Sequence, residues 1–251
     1  MTGQGKLILL RHGQSTLNAQ GRFTGLLDPP LTPQGRAEAV HAADILVSAA
    51  FAPDTIFSST MVRAVETGLL VSERLTGGTV PVRTAWELNE RSYGSLTGRL
   101  KKELLAEFGP QVLHYWRRSL YAAPPPMTPR QLTAIRSSNA AADMPPGTAR
   151  ATESLNAVAT RVNGFWYKTL RPLLRDGKNV LAVAHGNSLR ALCLILDSLT
   201  EEEVEGLNLP TGHPLEYSFH SGFIPYRRGG TYLDPDAAAL AVSLVAADGG
   251  T

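Results

Sequence analysis

The sequence has 251 residues, of which 43% are hydrophobic and 18% are charged, with a formal net charge of +2. This composition is typical of a globular protein with a full core, and the small net charge does not favour a nucleic acid or an anionic membrane as a partner. The single cysteine, Cys193, cannot form an intramolecular disulfide. No stretch approaches the roughly 18 apolar residues of a membrane span, and the N-terminus lacks the features of a signal peptide, so we expect a cytoplasmic protein.

The first half of the chain alternates apolar runs with amphipathic stretches. Lys6–Leu10 is a short, mainly apolar run without polar alternation, which is typical of a strand buried on both faces of a parallel sheet. A helix is predicted to begin at Pro33, because Thr32 is a favourable N-cap and proline suits the first helical position. A strand, a helix and a further short strand are predicted next, over Asp54–Ser59, Met61–Leu75 and Val80–Arg83.

The second half continues this alternation. The pattern over Leu100–Ser119 is helical, and Gly109-Pro110 is expected to break it in two. A long helix is predicted over Thr152–Arg175, followed by a strand over Val180–Ala184 and a helix from about Ser188. Strands that alternate with helices predict an α/β fold with a mostly parallel open sheet and helices on both faces.

Two segments lack this pattern. Ala122–Arg150 is rich in proline, serine and alanine, and irregular segments of that length in a compact domain are usually lids or disordered. The tail from Asp234 is predicted to form one short helix and then fray. We therefore expect a single domain over residues 1–251, with a flexible, lid-like loop at 122–150 and a C-terminal tail at 234–251.

Two strand ends share one design. LILLRHGQSTLN, Leu7–Asn18, and NVLAVAHGNSLR, Asn179–Arg190, each run from an apolar strand into a histidine, a glycine and small polar residues. Ligands of open α/β sheets bind beyond the carboxyl ends of the strands, so both histidines are predicted to lie at one edge of the sheet. Glycine after each histidine permits a tight turn and a close approach of backbone N–H groups to a ligand.

Two alternatives stand beside a ligand site. Each histidine could simply end its strand and bond to a carbonyl, or the pair could bind a metal. The sequence has no HExxH or CxxC pattern, and the charged residues near the histidines are the cations Arg11 and Arg63. Arginines around a histidine suit a phosphoryl group better than a metal cation. Because GxxxxGK[ST], GxGxxG and GxSxG motifs are absent, side chains would hold the phosphate and a histidine nitrogen would attack it.

A series of motifs runs in order from Leu7 to Tyr217: LLRHGQSTLN with GRFTGLLDPPLTPQG, SSTMVRAVET, LNERSYGSLTG, YWRRS, and AHGNSLRAL with LNLPTGHPLEY. Together they resemble the cofactor-dependent phosphoglycerate mutases of the histidine phosphatase superfamily. RHG alone is shared by many phosphatases, whereas LNERSYG, WRRS and NLPTGHPLEY are more specific to the mutases.

The resemblance implies an enzyme that interconverts 3-phosphoglycerate and 2-phosphoglycerate through a phosphohistidine on His12, with Glu90 as the acid/base. It implies 2,3-bisphosphoglycerate as the priming phosphoryl donor and no metal. The residues that would surround the transferring phosphoryl group are Arg11, Asn18, Arg63 and His185. Those that would bind the rest of the substrate are Thr24, Gly25, Tyr93, Lys101, Arg117, Arg118, Gly186 and Asn187.

The implied partners are a small phosphorylated glycerate and further copies of this chain, in a homo-dimer or homo-tetramer. The sequence departs from the family pattern at Gln14, Leu17, Leu26-Leu27, Ser92 and the segment 122–150. An alternative function is a histidine-type phosphatase acting on a small phosphoester, which would not need WRRS. A non-catalytic phosphate-binding protein would have lost at least one of His12, Arg63, Glu90 and His185, and all four are present.

Overall fold

Residues 4–247 are described in the computed structural model of this protein, so the last four residues of the predicted tail lie outside the described residues. The strands β1 to β6 are, in chain order, Leu7–Arg11, Thr55–Ser58, Val82–Thr84, Val180–Ala184, Leu215–Tyr217 and Thr231–Tyr232. They form one sheet in the order β3-β2-β4-β1-β5-β6. Strands β1 to β4 pair in parallel, and β5 and β6 extend the sheet in antiparallel pairing.

Ten α-helices lie within residues 4–247. Helices α1 to α10 are Thr16–Ala19, Pro33–Ser48, Val62–Thr76, Lys101–Arg118, Pro129–Arg136, Leu155–Phe165, Arg171–Arg175, Gly186–Asp197, Glu201–Gly206 and Pro235–Ala247. A π-helical turn, Trp166–Leu170, joins α6 to α7. Each helix of this part of the chain is too short or too polar to cross a lipid bilayer.

The sheet is buried on both faces, as its continuous apolar strands predict. Leu7 and Leu9 of β1 pack in one core with residues of α6 and α8. Ile8 and Leu10 point to the opposite face and pack in a second core with residues of α2 and α3. Successive side chains of a strand alternate between faces, so one apolar run fills both cores.

The predicted α/β fold with helices on both faces is confirmed. The four parallel strands lie where the sequence predicts them, to within two residues at each end. The antiparallel strands β5 and β6 were not predicted. They have three and two residues, too few to carry a periodic signal, and pairing with β1 rather than local preference holds β5 in place.

The expectation of an irregular loop over residues 122–150 is wrong in part. Helix α5 lies within it and begins with a reciprocal capping box, in which Thr128 and Gln131 exchange side-chain to backbone hydrogen bonds. Ile135 is buried in a small cluster with Met61 and other apolar residues. An eight-residue helix with few apolar positions has a weak pattern, so its formation depends on this packing.

Two other helix boundaries differ from prediction. The long helix begins at Leu155 rather than Thr152, because the Ser154 hydroxyl caps it by accepting a hydrogen bond from the Ala157 N–H at 3.2 Å. Helix α8 begins at Gly186, directly after His185. Helix α4 is kinked as predicted, with Gly109 in a non-helical conformation at φ 77°.

Two glycines in helices differ in the space around the position of a Cβ atom. Gly35, in the first turn of α2, lies against the loop after β1, and a Cβ atom there would be 2.1 Å from the Gln14 carbonyl oxygen. Gly164, in α6, has open space around the corresponding position. The Gly35 contact brings α2 close to the residues that follow His12.

We expect Gly35→Ala to destabilise the protein by about 1–3 kcal/mol, because the backbone of the loop must move. Gly164→Ala serves as the matched control and should stabilise it by about 0.5–1 kcal/mol, because alanine has the higher helix propensity. Urea denaturation of both variants and the parent measures the difference. Equal effects of the two substitutions would contradict the close approach at Gly35.

Candidate active site

Three neighbouring strands deliver polar side chains to one point. His12 follows β1, Ser59 follows β2 and His185 follows β4, and these strands are adjacent in the order β2-β4-β1. The rings of His12 and His185 meet edge to face with centroids 4.8 Å apart. The Ser59 hydroxyl lies 2.7 Å from Nε2 of His185. The prediction that both histidines lie at the carboxyl edge of the sheet is confirmed.

The hydrogen bonds of His12 define its tautomer. Its Nδ1 lies 2.6 Å from the carbonyl oxygen of Gly13, and a carbonyl can only accept, so Nδ1 carries the proton. Nε of Arg63 donates to Nε2 of His12 at 3.3 Å, which places the lone pair on Nε2. The unprotonated nitrogen of His12 is therefore the one that faces Arg63.

Burial and positive charge keep both histidines neutral. The pKa of His12 is lowered well below its ordinary value of 6.5, first by desolvation and then by the charges of Arg63 and Arg11. The pKa of His185 is lowered well below 6.5 by desolvation, followed by Arg63 and His12. A neutral imidazole with one unprotonated nitrogen is the form that can attack an electrophile.

The Arg63 side chain is held by backbone carbonyls. It is 1% exposed, and its terminal nitrogens donate to the carbonyls of Leu27 at 2.8 Å and Gly25 at 3.2 Å. Desolvation lowers its pKa to about 10, so it stays charged at neutral pH. Arg11 donates from Nη1 to the Leu209 carbonyl at 2.7 Å, and its buried Nε has no hydrogen-bond partner within residues 4–247.

Glu90 faces these cations from a loop that is fixed on several sides. Its Oε1 accepts hydrogen bonds from its neighbour's backbone, the Arg91 N–H at 2.7 Å, and from Nδ2 of Asn187 at 3.1 Å. Arg161 donates to the backbone carbonyl of Glu90 at 3.2 Å and forms a buried ion pair with Glu153 at 3.3 Å. The position of the carboxylate is thus set before any ligand binds.

Most of the predicted site residues line one cavity. Its cationic walls come from β1, α3 and α4, and Glu90 lies opposite them. The predicted residues that line the cavity are Arg11, His12, Asn18, Thr24, Gly25, Arg63, Glu90, Tyr93, Lys101, Arg117 and Gly186. The cavity is therefore strongly positive, with one carboxylate, and fits a small polyanion.

Three predicted residues do not line the cavity and instead support the residues that do. His185 is fully buried next to His12. Asn187 uses its amide on Glu90 and on the Tyr93 hydroxyl, at 2.8 Å, and accepts from Arg190 at 3.1 Å. Arg118 donates to the carbonyls of Glu205 and, at 2.7 Å, Leu207, so it supports the chain beside the cavity instead of lining it.

Buried arginines also fix the end of α4 that carries Arg117. Arg91 donates to the carbonyls of Trp116 at 2.6 Å and Arg117 at 3.4 Å. Arg190 donates to the carbonyl of Arg118 at 3.2 Å, and desolvation lowers its pKa to about 9. The last carbonyls of a helix have no partner within the helix, and guanidinium groups satisfy them here.

Several residues at the site were not predicted. Arg22 and Phe23 line the cavity, the latter with Arg117 over its ring at 5.5 Å. The Thr67 hydroxyl accepts from the Gly13 N–H at 3.2 Å. Ser59 follows the end of a strand, which is the signal that identified both histidines and would have found it. Arg161 lies far along the chain in a helix and has no such signal.

Within the described residues, no group of three or more histidine, cysteine, aspartate or glutamate side chains is arranged to hold a metal ion. Around the two histidines the donors are instead guanidinium groups, a serine hydroxyl and backbone amides. These groups donate hydrogen bonds and match the oxygens of a phosphoryl group.

Known proteins resemble this chain in sequence and in fold. The profile of the histidine phosphatase superfamily (branch 1) matches residues 7–145. A 2,3-bisphosphoglycerate-dependent phosphoglycerate mutase of Streptomyces avermitilis is 44% identical over 240 residues, which cover 96% of this chain and 95% of the relative. The enzyme of that description from Arthrobacter sp. (strain FB24) is 42% identical and covers 97% and 98%.

Solved structures agree on the fold. A mycobacterial glucosyl-3-phosphoglycerate phosphatase in complex with VO3 superposes with a TM-score of 0.68 at 27% identity, covering 88% of this chain and 94% of that chain. The chain belongs to the histidine phosphatase superfamily and, within it, to the family of 2,3-bisphosphoglycerate-dependent phosphoglycerate mutases.

The lowered histidine pKa values make stability depend on pH. In the unfolded chain each histidine binds a proton below its ordinary pKa of 6.5, whereas His12 and His185 in the fold do not until a much lower pH. Their contribution to stability is therefore fully present above pH 6.5 and is lost as the pH falls.

We expect the free energy of unfolding to fall more steeply with decreasing pH below 6 in the parent than in His12→Gln, by roughly 1.4 kcal/mol per pH unit for the one histidine removed. Urea denaturation at a series of pH values measures this slope. Nitrogen NMR of the His12 ring should show the proton on Nδ1 at pH 6. Parallel pH profiles of the two proteins, or a charged His12 ring at pH 6, would contradict the assignment.

Proposed function

We propose that this protein interconverts 3-phosphoglycerate and 2-phosphoglycerate by ping-pong phosphoryl transfer through a phosphohistidine on His12. The observation that carries the proposal is the hydrogen-bonded state of His12, whose Nδ1 is fixed as a donor by the Gly13 carbonyl and whose Nε2 lone pair faces a cationic cavity. The relatives that are more than 40% identical over nearly the whole chain support the same reaction.

In the first half-reaction, Nε2 of His12 forms a bond to phosphorus while the bond from phosphorus to the leaving oxygen breaks. The imidazole gains positive charge, and the Gly13 carbonyl stabilises its Nδ1–H. Arg11 and Arg63 balance the charge on the equatorial oxygens, as phosphoryl transfer requires. His185, hydrogen-bonded to Ser59, lies edge to face against the His12 ring, and its contact with the phosphoryl group stays a prediction.

Glu90 is the acid and base that gives a proton to one glycerate oxygen and removes a proton from the other. When phosphate leaves an oxygen, that oxygen needs a proton, and when the other hydroxyl attacks the phosphohistidine, its proton must be removed. Asn187 and the Arg91 N–H hold the Glu90 carboxylate in place for both steps. Asn187 thus acts in this proposal as a positioning residue for Glu90 and Tyr93.

The cationic lining of the cavity suits 2,3-bisphosphoglycerate, a polyanion that carries one more phosphate than the substrate. When bound, this molecule supplies the phosphoryl group that primes His12. Two buried polar atoms at the cavity, Nε of Arg11 and Oγ1 of Thr24, have no hydrogen-bond partner within residues 4–247. Lys101 and Arg117 also line the cavity and would hold the carboxylate or the second phosphate.

Within the arginine pair, binding of the substrate carboxylate or second phosphate is assigned to Arg117 alone and not to Arg117 and Arg118 equally. Arg117 lines the cavity, whereas Arg118 binds the carbonyls of Glu205 and Leu207. Arg117 is therefore assigned to ligand binding and Arg118 to support of the neighbouring chain.

Assembly into a homo-dimer or homo-tetramer stays a prediction.

The alternative function, a phosphatase, is supported by the superposition on a mycobacterial glucosyl-3-phosphoglycerate phosphatase. Both activities need His12 and the arginines around it, since both form a phosphohistidine and then transfer its phosphoryl group. Isomerisation additionally requires the intermediate to be held while it reorients. The balance between the two activities therefore depends on the carboxylate grip and on access of water.

Incubation with 2,3-bisphosphoglycerate should leave an acid-labile phosphate on His12. The phosphate is expected there because Nε2 of His12 carries the lone pair that faces the cations. Mass spectrometry of proteolytic fragments at alkaline pH locates the group, and His12→Gln should remove both the label and the turnover. The exposed His114 provides a control, since His114→Gln should keep both. Phosphate on His185, or on no residue, would overturn the proposal.

Arg117→Ala should raise the ratio of free phosphate released to 2-phosphoglycerate formed by about ten- to hundredfold, the effect of one charge-assisted hydrogen bond. Hydrolysis of the phosphohistidine does not need the carboxylate grip, so mutase flux should fall more. Assays of both products from 3-phosphoglycerate measure the ratio. Lys102→Ala removes a neighbouring exposed charge and should leave it unchanged. An unchanged ratio in Arg117→Ala would place the grip elsewhere, and a parent enzyme that only releases phosphate would favour the phosphatase function.

A further inference from the structure

A second cavity, of about 310 Å³, lies at the opposite end of α8 from the active site. Its walls come from the π-helical turn and the start of α7, from the C-terminal end of α8, and from the segment between β5 and β6. Gly186 of α8 lines the active site and Asp197 lines this second cavity, so about 17 Å of helix separates them. The two cavities share no lining residue.

Seven of the twelve residues that line this second cavity have apolar or aromatic side chains, and the others include the charged residues Arg171, Asp197 and Arg228. The apolar side chains that line it are Trp166, Tyr167, Ile195, Leu196, Phe223, Ile224 and Pro225. Tyr167 and Ile224 at its rim are 54% and 64% exposed. A volume of this size with aromatic walls and a few polar groups is typical of a site for a small organic molecule.

Arg171 is the charged group of this cavity that can accept a ligand. Two other charged groups at the wall are already bound, Arg228 to Glu203 at 2.6 Å and Asp197 to the Tyr217 hydroxyl at 2.6 Å. The Arg171 guanidinium carbon lies over the rings of Tyr167, at 5.3 Å, and Phe223, at 5.0 Å.

No acceptor within residues 4–247 takes a hydrogen bond from the Arg171 guanidinium. Aromatic rings hold a guanidinium through its face and leave the N–H groups at its edge available. A planar fork of N–H donors binds a carboxylate in a bidentate manner. Arg171 therefore presents an anion-binding edge beside the aromatic side chains of this cavity.

The backbone at this cavity departs from regular structure at two places. The π-helical turn, Trp166–Leu170, places Tyr167 and Arg171 at the wall, and such turns are frequent at functional sites. Phe223 has a φ of 66°, which is unfavourable for a residue with a side chain. Packing maintains this conformation, since the Phe223 ring lies 5.7 Å from that of Trp166 and 5.6 Å from that of Phe219.

We propose that this cavity binds a small aryl carboxylate, with the carboxylate on the edge of the Arg171 guanidinium and the flat ring against the apolar wall. This site lies apart from the active site, so the proposal does not depend on the proposed function.

The test uses 2-naphthoate as the probe and 2-naphthalenemethanol as its neutral analogue. Each is titrated into the full-length protein while the indole N–H signal of Trp166, assigned with Trp166→Phe, is followed by NMR. The naphthoate should shift this signal saturably and bind at least about tenfold more tightly than the alcohol, because only the carboxylate can pair with Arg171. Saturating 2,3-bisphosphoglycerate should not displace it.

Arg171→Gln should weaken naphthoate binding at least about tenfold, and Arg171→Lys, which keeps the charge but not the fork, should weaken it less. Arg175→Gln removes an exposed arginine of the same short helix and should leave it unchanged. Mutase turnover should be unaffected in all three variants. Equal binding of naphthoate and alcohol, displacement by 2,3-bisphosphoglycerate, or full affinity in a folded Arg171→Gln would each overturn the proposal, and the first two need no variant.

Discussion

The hydrogen bond from Nδ1 of His12 to the Gly13 carbonyl, 2.6 Å long, is the interaction on which the rest of the site depends. It decides which nitrogen carries the lone pair, and hence which side of the ring can attack phosphorus. The bond joins neighbouring residues, so it exists only while the turn after β1 keeps its shape. That shape depends on the close contact of the turn with Gly35 of α2 and on the hydrogen bond from the Gly13 N–H to Thr67.

Positive charge is concentrated around this histidine, and the fold offsets the cost of burying it with backbone carbonyls. Arg63 is bound by the carbonyls of Gly25 and Leu27, and Arg91 and Arg190 bind carbonyls at the end of α4. A buried guanidinium without such acceptors would be strongly destabilising. The bonds of Arg91 and Arg190 also fix the end of α4 that carries Arg117.

This chain is similar over most of its length both to a mutase and to a phosphatase, so the surroundings of His12 and the arginines decide between the two activities. In this chain the surrounding parts are ordered by packing. Helix α5 is held by the burial of Ile135, and Thr60 donates from its hydroxyl to the carbonyl of Ala140 at 3.2 Å. The segment over residues 122–150 therefore contacts the loop after β2, which also carries Ser59.

The sequence by itself determined the four parallel strands, the major helices and the residues at the strand ends. Buried parallel strands are continuous apolar runs, and their carboxyl ends meet at one edge, so the positions of His12 and His185 followed from a local pattern. Glu90, Lys101 and Arg117 lie in segments without such a pattern, and only the resemblance to a family pointed to them.

Tertiary structure alone decided which of the remaining groups face the cavity. Arg117 and Arg118 are neighbours in sequence, yet one lines the cavity and the other binds Glu205 and Leu207. The short strands β5 and β6 and the role of Arg161 likewise depend on distant partners. These features arise from contacts between residues tens of positions apart, and such contacts leave no periodic signal in the chain.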